Sequence, residues 1–143
     1  MTGQYRVLVV GVGSIGERHL RCFQKMDRCT MSFCEPNAEL RATIADRYGI
    51  DEAYEGLDAA LTAGEYDVAV IATPAHLHVP IAVRLAELGI HLLIEKPLSL
   101  SMEGMDRLTE IVSEKSIAVA VGYTHRAHPA NRGLKEEIDS GRL

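Results

Sequence analysis

The stretch Tyr5-Arg6-Val7-Leu8-Val9-Val10-Gly11-Val12-Gly13-Ser14-Ile15-Gly16 decides the fold. Residues 5–10 are mostly apolar and β-branched, too few for a helix, and end at a glycine, as a strand buried on both faces does. From Ser14 to Lys25 the apolar residues Ile15, Leu20 and Phe23 alternate with charged ones, which predicts a helix. Between the two lies the pattern G-x-G-x-x-G. Gly11 permits the tight turn, Gly13 lets backbone approach a pyrophosphate without a Cβ in the way, and Gly16 lets the helix pack closely on the strand. The helix start at Ser14 and Ile15 offers unpaired N–H groups and a partial positive charge to phosphate oxygens.

A hexapeptide of this kind is weak evidence alone, and Glu35 strengthens it. A second strand, Thr30 to Glu35, is closed by Pro36, so the Glu35 carboxylate stands at a strand end about 20 residues beyond the glycines. There it can accept hydrogen bonds from an adenosine ribose. A 2′-phosphate would face this carboxylate with a repulsion on the order of 1 kcal/mol, so NAD is expected, with NADP as the alternative. Arg41, on the next helix, is read as a solvated residue.

The rest of the chain continues the alternation. Asn37 caps a helix through Ala45 that stops at Tyr48-Gly49. A weak strand at Ala53-Tyr54, a short helix Leu57–Ala63 and a strong strand Asp67–Ala72 follow. Helix Pro80–Leu88, strand His91–Ile94, helix Met102–Glu114 and strand Ile117–Val121 complete the pattern, closed by Gly122. Apolar strands alternating with helices imply an α/β fold, a doubly wound parallel sheet of the Rossmann type. Only after Tyr123 does the composition change, to the polar run Thr124–Pro129.

Composition excludes several classes. With 143 residues, 47% hydrophobic and 24% charged, the chain can bury roughly 70% of its unfolded surface in one core and is neither disordered nor collagen-like. A net charge of −5 argues against a nucleic-acid or anionic-membrane partner. No apolar run approaches the roughly 20 residues of a membrane span, and the start, Met1 to Val10, lacks the basic segment of a signal peptide. Cys22, Cys29 and Cys34 are an odd set without metal spacing, read as reduced thiols; a cytoplasmic protein is expected. The histidine set His76, His78, His125 and His128 lacks a cysteine or acidic residue to complete a zinc pattern, so no metal is expected. His19 and His91 are read as helix-surface and strand-end residues.

Two further strand ends carry unusual residues. Ala72-Thr73-Pro74 leads to His76 and His78, and Glu95-Lys96-Pro97 follows the next strand. In open α/β sheets ligands bind beyond the carboxyl ends of the strands. Lys96 is there a candidate acid or polarising cation, tuned by burial and by the neighbouring carboxylate.

In that order, Gly-Val-Gly-Ser-Ile-Gly (11–16), Ala-Thr-Pro-Ala-His-Leu-His (72–78) and Glu-Lys-Pro-Leu-Ser-Leu (95–100) resemble the glucose-fructose oxidoreductase/inositol dehydrogenase/rhizopine-catabolism (Gfo/Idh/MocA) oxidoreductases over essentially the whole chain. The resemblance implies an NAD(P)-binding domain followed by a substrate domain on a large, mostly antiparallel sheet. It also implies hydride transfer to or from sugars, polyols or related hydroxy and carbonyl compounds. Lys96 would touch nicotinamide ribose and substrate, with Glu95 positioning it, and these two are the catalytic candidates. Ala72, Thr73, Pro74, His76, Pro97 and Arg126 join the glycine turn and Glu35 as cofactor-binding candidates, with Pro97 following a cis bond. His78 matches the family's histidine at the next helix start. Ala75 and Thr124 stand where many members have asparagine.

In such enzymes the acid/base residues lie in the second domain, which this chain would only begin to enter after a helix Asn131–Ile138. Residues 1–122 are therefore expected to form the dinucleotide-binding domain, and 123–143 a crossover and the start of a truncated substrate domain. The chain reads as a fragment, inactive alone, of a homo-oligomeric dehydrogenase. The alternatives are a non-catalytic NAD-binding sensor or scaffold and a methyltransferase, the latter opposed by the Lys96 segment and the complete glycine pattern.

Overall fold

The sheet grows outward from the first apolar run. β1 (Tyr5–Val10) pairs in parallel with β2 (Cys29–Cys34), from Tyr5↔Cys29 to Val10↔Cys34, and on its other side with β4 (Val68–Ile71), from Val7↔Val68 to Val10↔Ile71. β3 (Ala53–Tyr54) adds beyond β2, while β5 (His91–Ile94) and β6 (Val119–Val121) add beyond β4. The order is β3-β2-β1-β4-β5-β6 with every pair parallel, the doubly wound arrangement expected. The computed structural model describes residues 4–142, so the readings of Met1 and Leu143 fall outside the described residues.

Both faces of the central strands are buried, which is why they read as unbroken apolar runs. Val7, Val9, Met31, Phe33 and Val70 pack with Leu20 of α1 (Ser14–Gln24) and Ile44 of α2 (Ala38–Tyr48). Leu8, Val10, Ala69, Ile71, Leu92 and Ile94 face the other way. They meet α3 (Leu57–Ala63), α4 (His78–Glu87) and α5 (Met105–Lys115) through Ala60, Ala82, Leu85, Leu108 and Ile111. Each large aliphatic chain so buried contributes about 1.5–3 kcal/mol. At the β6 edge Ala120 remains exposed, and α6 (Pro129–Asp139) keeps Leu134 and Ile138 exposed.

Helix ends follow local chemistry. Asn37 caps α2 by accepting the Leu40 N–H at 3.0 Å, and Gly49 ends it with φ +61. Three starts differ from expectation, and that of α6 moves from Asn131 to Pro129, a first-turn proline whose missing N–H costs nothing. α4 begins at His78, after a 3-10 turn over Ala75–Leu77, because Pro80 falls in the first turn, where a missing N–H costs nothing. α5 begins at Met105 and not Met102, because Gly104 holds φ +77 immediately before it.

Candidate functional site

Every expected site residue except Arg126 lies in the glycine turn or in the strand-end segments that follow β2, β4 and β5. The crevice falls where the strand order reverses, between β1 and β4. Two of the three glycines are required by the protein itself. Gly11 has φ +84, and a Cβ on it would sit 3.1 Å from the Ala72 carbonyl oxygen; one on Gly16 would lie 1.9 Å from the Gly11 oxygen. Gly13 differs. It has φ −61, open to any residue, and its Cβ would meet nothing within 4 Å. No atom of the described residues explains that glycine. It caps α1 without a side-chain hydrogen bond, so the first N–H groups of the helix keep their capacity to bind an anion. Ser14 and Ile15 are exposed there, Ile15 at 39%, so both stand at the open helix start.

Glu35 is fixed beside this turn. Its Oε2 accepts the Val12 N–H at 3.2 Å and its Oε1 the Asn37 N–H at 3.0 Å. The reading of Arg41 as merely solvated is corrected: half-buried, its Nη1 donates to the Glu35 carbonyl at 2.6 Å. A cation is thereby tied to the same strand end as the carboxylate.

After β4, Thr73 Oγ1 is buried with no hydrogen-bond partner among the described residues, an arrangement costing about 1–3 kcal/mol unless a ligand or water completes it. Pro74 and His76 are exposed at the mouth and Ala72 is half-buried below. His78 is neither pocket-lining nor superficial. It is 1% exposed, with Nε2 2.8 Å from the Thr73 carbonyl and Nδ1 2.9 Å from the Pro97 carbonyl. Either neutral tautomer donates to one of these acceptors and the doubly protonated ring donates to both. It clasps the segments after β4 and β5.

The Lys96–Pro97 bond is cis, as the resemblance implied. Lys96 is exposed, and its ammonium makes no hydrogen bond or ion pair among the described residues. The expected burial of this side chain and its contact with the neighbouring carboxylate are not found, because Lys96 is exposed and the Glu95 carboxylate points elsewhere. Glu95 Oε1 accepts from His19 Nε2 at 2.7 Å and Oε2 accepts the Lys96 backbone N–H at 3.1 Å. A Cβ on Gly122 would stand 3.0 Å from Oε1, so that glycine leaves room for the carboxylate. His19, first read as a surface residue, is thus inside the site. The signal was its place among Gly16, Leu20 and Phe23, one inward stripe at helical spacing that a polar residue interrupts.

Arg126 is not gathered into this cluster. It lies exposed in a 3-10 turn over Thr124–Ala127, and among the described residues its guanidinium bonds none of the strand-end groups. His91 Nδ1 accepts the Ala118 N–H at 2.9 Å and His128 Nδ1 the Ala130 N–H at 3.3 Å, both backbone-capping roles. Among the described residues no three His, Cys, Asp or Glu side chains are placed to hold a metal, and no helix is long and apolar enough to cross a membrane. Burial pushes the Cys34 thiol up to about 12, whereas Cys22 is exposed.

Comparison with known proteins agrees with this geometry. The profile described as "Oxidoreductase family, NAD-binding Rossmann fold" (GFO_IDH_MocA) matches residues 5–123. The chain is 34% identical over 131 residues to UDP-N-acetylglucosamine 3-dehydrogenase of Acidithiobacillus ferrooxidans, covering 92% of this chain and 41% of that protein. Inositol 2-dehydrogenase of Corynebacterium glutamicum is 30% identical over 144 residues, covering 99% and 43%. The solved WlbA dehydrogenase from Bordetella pertussis, in complex with NADH and UDP-GlcNAcA, superposes with a TM-score of 0.87 at 28% identity over 97% of this chain and 43% of that one. The chain therefore spans less than half the length of these relatives. Fold, glycine turn and profile together establish that the chain belongs to the Gfo/Idh/MocA oxidoreductase family and has the architecture of its NAD-binding Rossmann domain.

Proposed function

We propose that this chain binds NAD across the C-terminal ends of β1, β2, β4 and β5 and forms the cofactor-binding part of a dehydrogenase acting on a sugar, polyol or related hydroxy compound. The observation that carries the reading is Gly13: a glycine the fold does not require, facing open space at the uncapped start of α1. A pyrophosphate there accepts the free N–H groups of Ser14, Ile15 and Gly16. Each Glu35 oxygen accepts one backbone N–H and keeps a lone pair for a ribose hydroxyl. The orphan hydroxyl of Thr73 supplies a polar group on the β4 side of the groove.

NAD, when bound, supplies the hydride acceptor. The chain's own groups hold it and order its surroundings. Lys96 presents an unpaired ammonium beyond β5, where a cation stabilises negative charge on a substrate oxygen as its proton leaves. Ala72, Pro74, His76 and Pro97 line the same strand ends, and Arg126 would approach the cofactor from the exposed turn after β6. We assign the proton acceptor and sugar-binding groups to a second domain, consistent with relatives more than twice this length. Residues 123–143 would be the crossover toward it. The three free cysteines support a reducing, cytoplasmic setting, and homo-oligomeric assembly would rest on that second domain.

Calorimetric titration with NADH, NADPH and S-adenosylmethionine tests the reading. Saturable NADH binding, tighter than NADPH, is expected. No NADH binding at millimolar concentration, or stabilisation by S-adenosylmethionine alone, overturns it.

A further inference from the structure

The main chain at Lys96 is held from both sides by histidines that come from elsewhere in the fold. On one side His78 contacts the Pro97 carbonyl; on the other His19 engages the Glu95 carboxylate. The second contact crosses the crevice. His19 lies three residues beyond Gly16 on α1, the helix whose start forms the glycine turn, while Glu95 immediately follows β5. One side chain therefore links the phosphate-binding end of the groove to the Lys96 turn.

The Glu95 carboxylate is 8% exposed and the His19 side chain 15%. A carboxylate so withdrawn from water must be satisfied by donors or a cation. Among the described residues, Oε2 has the Lys96 backbone N–H and Oε1 has only His19, with Gly122 leaving the space beside it. The nearest mobile cation by chain position is the Lys96 ammonium itself, exposed and unpaired. If Oε1 lost its donor, the lysine would be drawn onto Glu95 and away from the open groove.

We propose that His19 is a positioning residue: by donating from Nε2 to Glu95 it occupies the carboxylate, keeps the Lys96 ammonium free, and holds it toward the nicotinamide end of a bound dinucleotide. This rests on the NAD reading above. It separates His19 from the adenosine end, where Glu35 and Asn37 act without it.

The test compares NADH with ADP, which shares the adenosine and pyrophosphate but lacks the nicotinamide ribose. Both are titrated into the wild-type chain, His19→Ala and His19→Gln, the last retaining an N–H donor of similar reach. His19→Ala is expected to weaken NADH about tenfold, the loss of one hydrogen bond to a charged group, and to leave ADP within about twofold. His19→Gln restores most of the NADH affinity. In the His19→Ala background, Glu95→Gln also recovers NADH affinity, since a neutral amide no longer captures Lys96. Equal weakening of NADH and ADP means that His19 merely supports α1 and overturns the proposal, as does NADH binding unchanged in His19→Ala. Should His19→Ala fail to fold, His19→Leu fills the space without a donor and the same ratio decides. If the wild-type chain binds neither ligand, the dinucleotide reading itself fails and takes this one with it; if it binds both, the ratio alone judges His19.

Discussion

Replacing Gly16 by alanine places a methyl carbon 1.9 Å from the Gly11 carbonyl oxygen, whereas real Cβ contacts essentially never fall under 3.0 Å. The turn must open by more than an ångström, and the obstacle is backbone, which cannot rotate aside as a side chain does. Overpacking of this kind costs about 1–3 kcal/mol and sometimes more. Alanine's helix preference over glycine returns at most about 1 kcal/mol. Because the clash is with backbone, the upper end of that cost applies, and the net loss of about 2 kcal/mol lowers Tm by roughly 6–8 °C in a domain of this size. Gly13→Ala gives the opposite profile. Its methyl group meets no protein atom and its φ of −61° suits alanine, so Tm stays within roughly 3 °C of wild type. The methyl would instead occupy space a pyrophosphate needs, and NADH affinity falls about tenfold or more. Thermal unfolding followed by circular dichroism and NADH titration by fluorescence measure the two effects on the same samples. Wild-type NADH affinity in Gly13→Ala, or a wild-type Tm in Gly16→Ala, refutes the division of labour among the glycines.

Glu35→Gln is expected to weaken NADH about tenfold and to narrow its advantage over NADPH, because the repulsion facing a 2′-phosphate disappears while Arg41 remains nearby; parallel titrations of the two cofactors measure it. The Glu17 carboxyl is held below its usual range first by the Tyr48 hydroxyl and then by Arg47. A carboxyl lowered in the folded state adds stability above its ordinary range and loses it as pH falls through its folded value. The Tm deficit of Tyr48→Phe is therefore present at pH 7 and shrinks as the medium is acidified below pH ~4, in melts at stepped pH. With Ellman's reagent at pH 8, Cys22 reacts readily while Cys34, its thiol pushed up to about 12 by burial, reacts only on unfolding.

The fold was legible because its signals are local. Unbroken apolar runs such as Val7–Val10 and Val68–Ile71 are what two covered faces demand, and Gly49 and Gly89 mark helix ends by a conformation other residues resist. The α5 start was misplaced because Met102 continues the apolar pattern, while the left-handed Gly104 that excludes it is a property of backbone and not of periodicity. In the site, residue types and strand ends were readable but pairings were not. Glu95 was expected to act on its neighbour Lys96; one carboxylate oxygen does accept the Lys96 backbone N–H, but the other reaches to His19, 76 positions away. A side-chain partner so distant is set by how α1 lies across the strand ends; helical spacing marks His19 as inward but does not name its partner. Arg41 was passed over for the related reason that its partner is a backbone carbonyl, which has no residue-type signature.

The central claim, a dinucleotide lying across the C-terminal strand ends, is tested most directly by following the backbone amides of the chain by NMR as NAD is added. Shifts concentrated at Val12–Gly16, Glu35, Thr73 and Lys96, with the helix faces far from the strand ends unmoved, are the predicted result. Saturating NAD that leaves these amides in place, or that moves only residues at the opposite ends of the strands such as Tyr5 and Asp67, would contradict it.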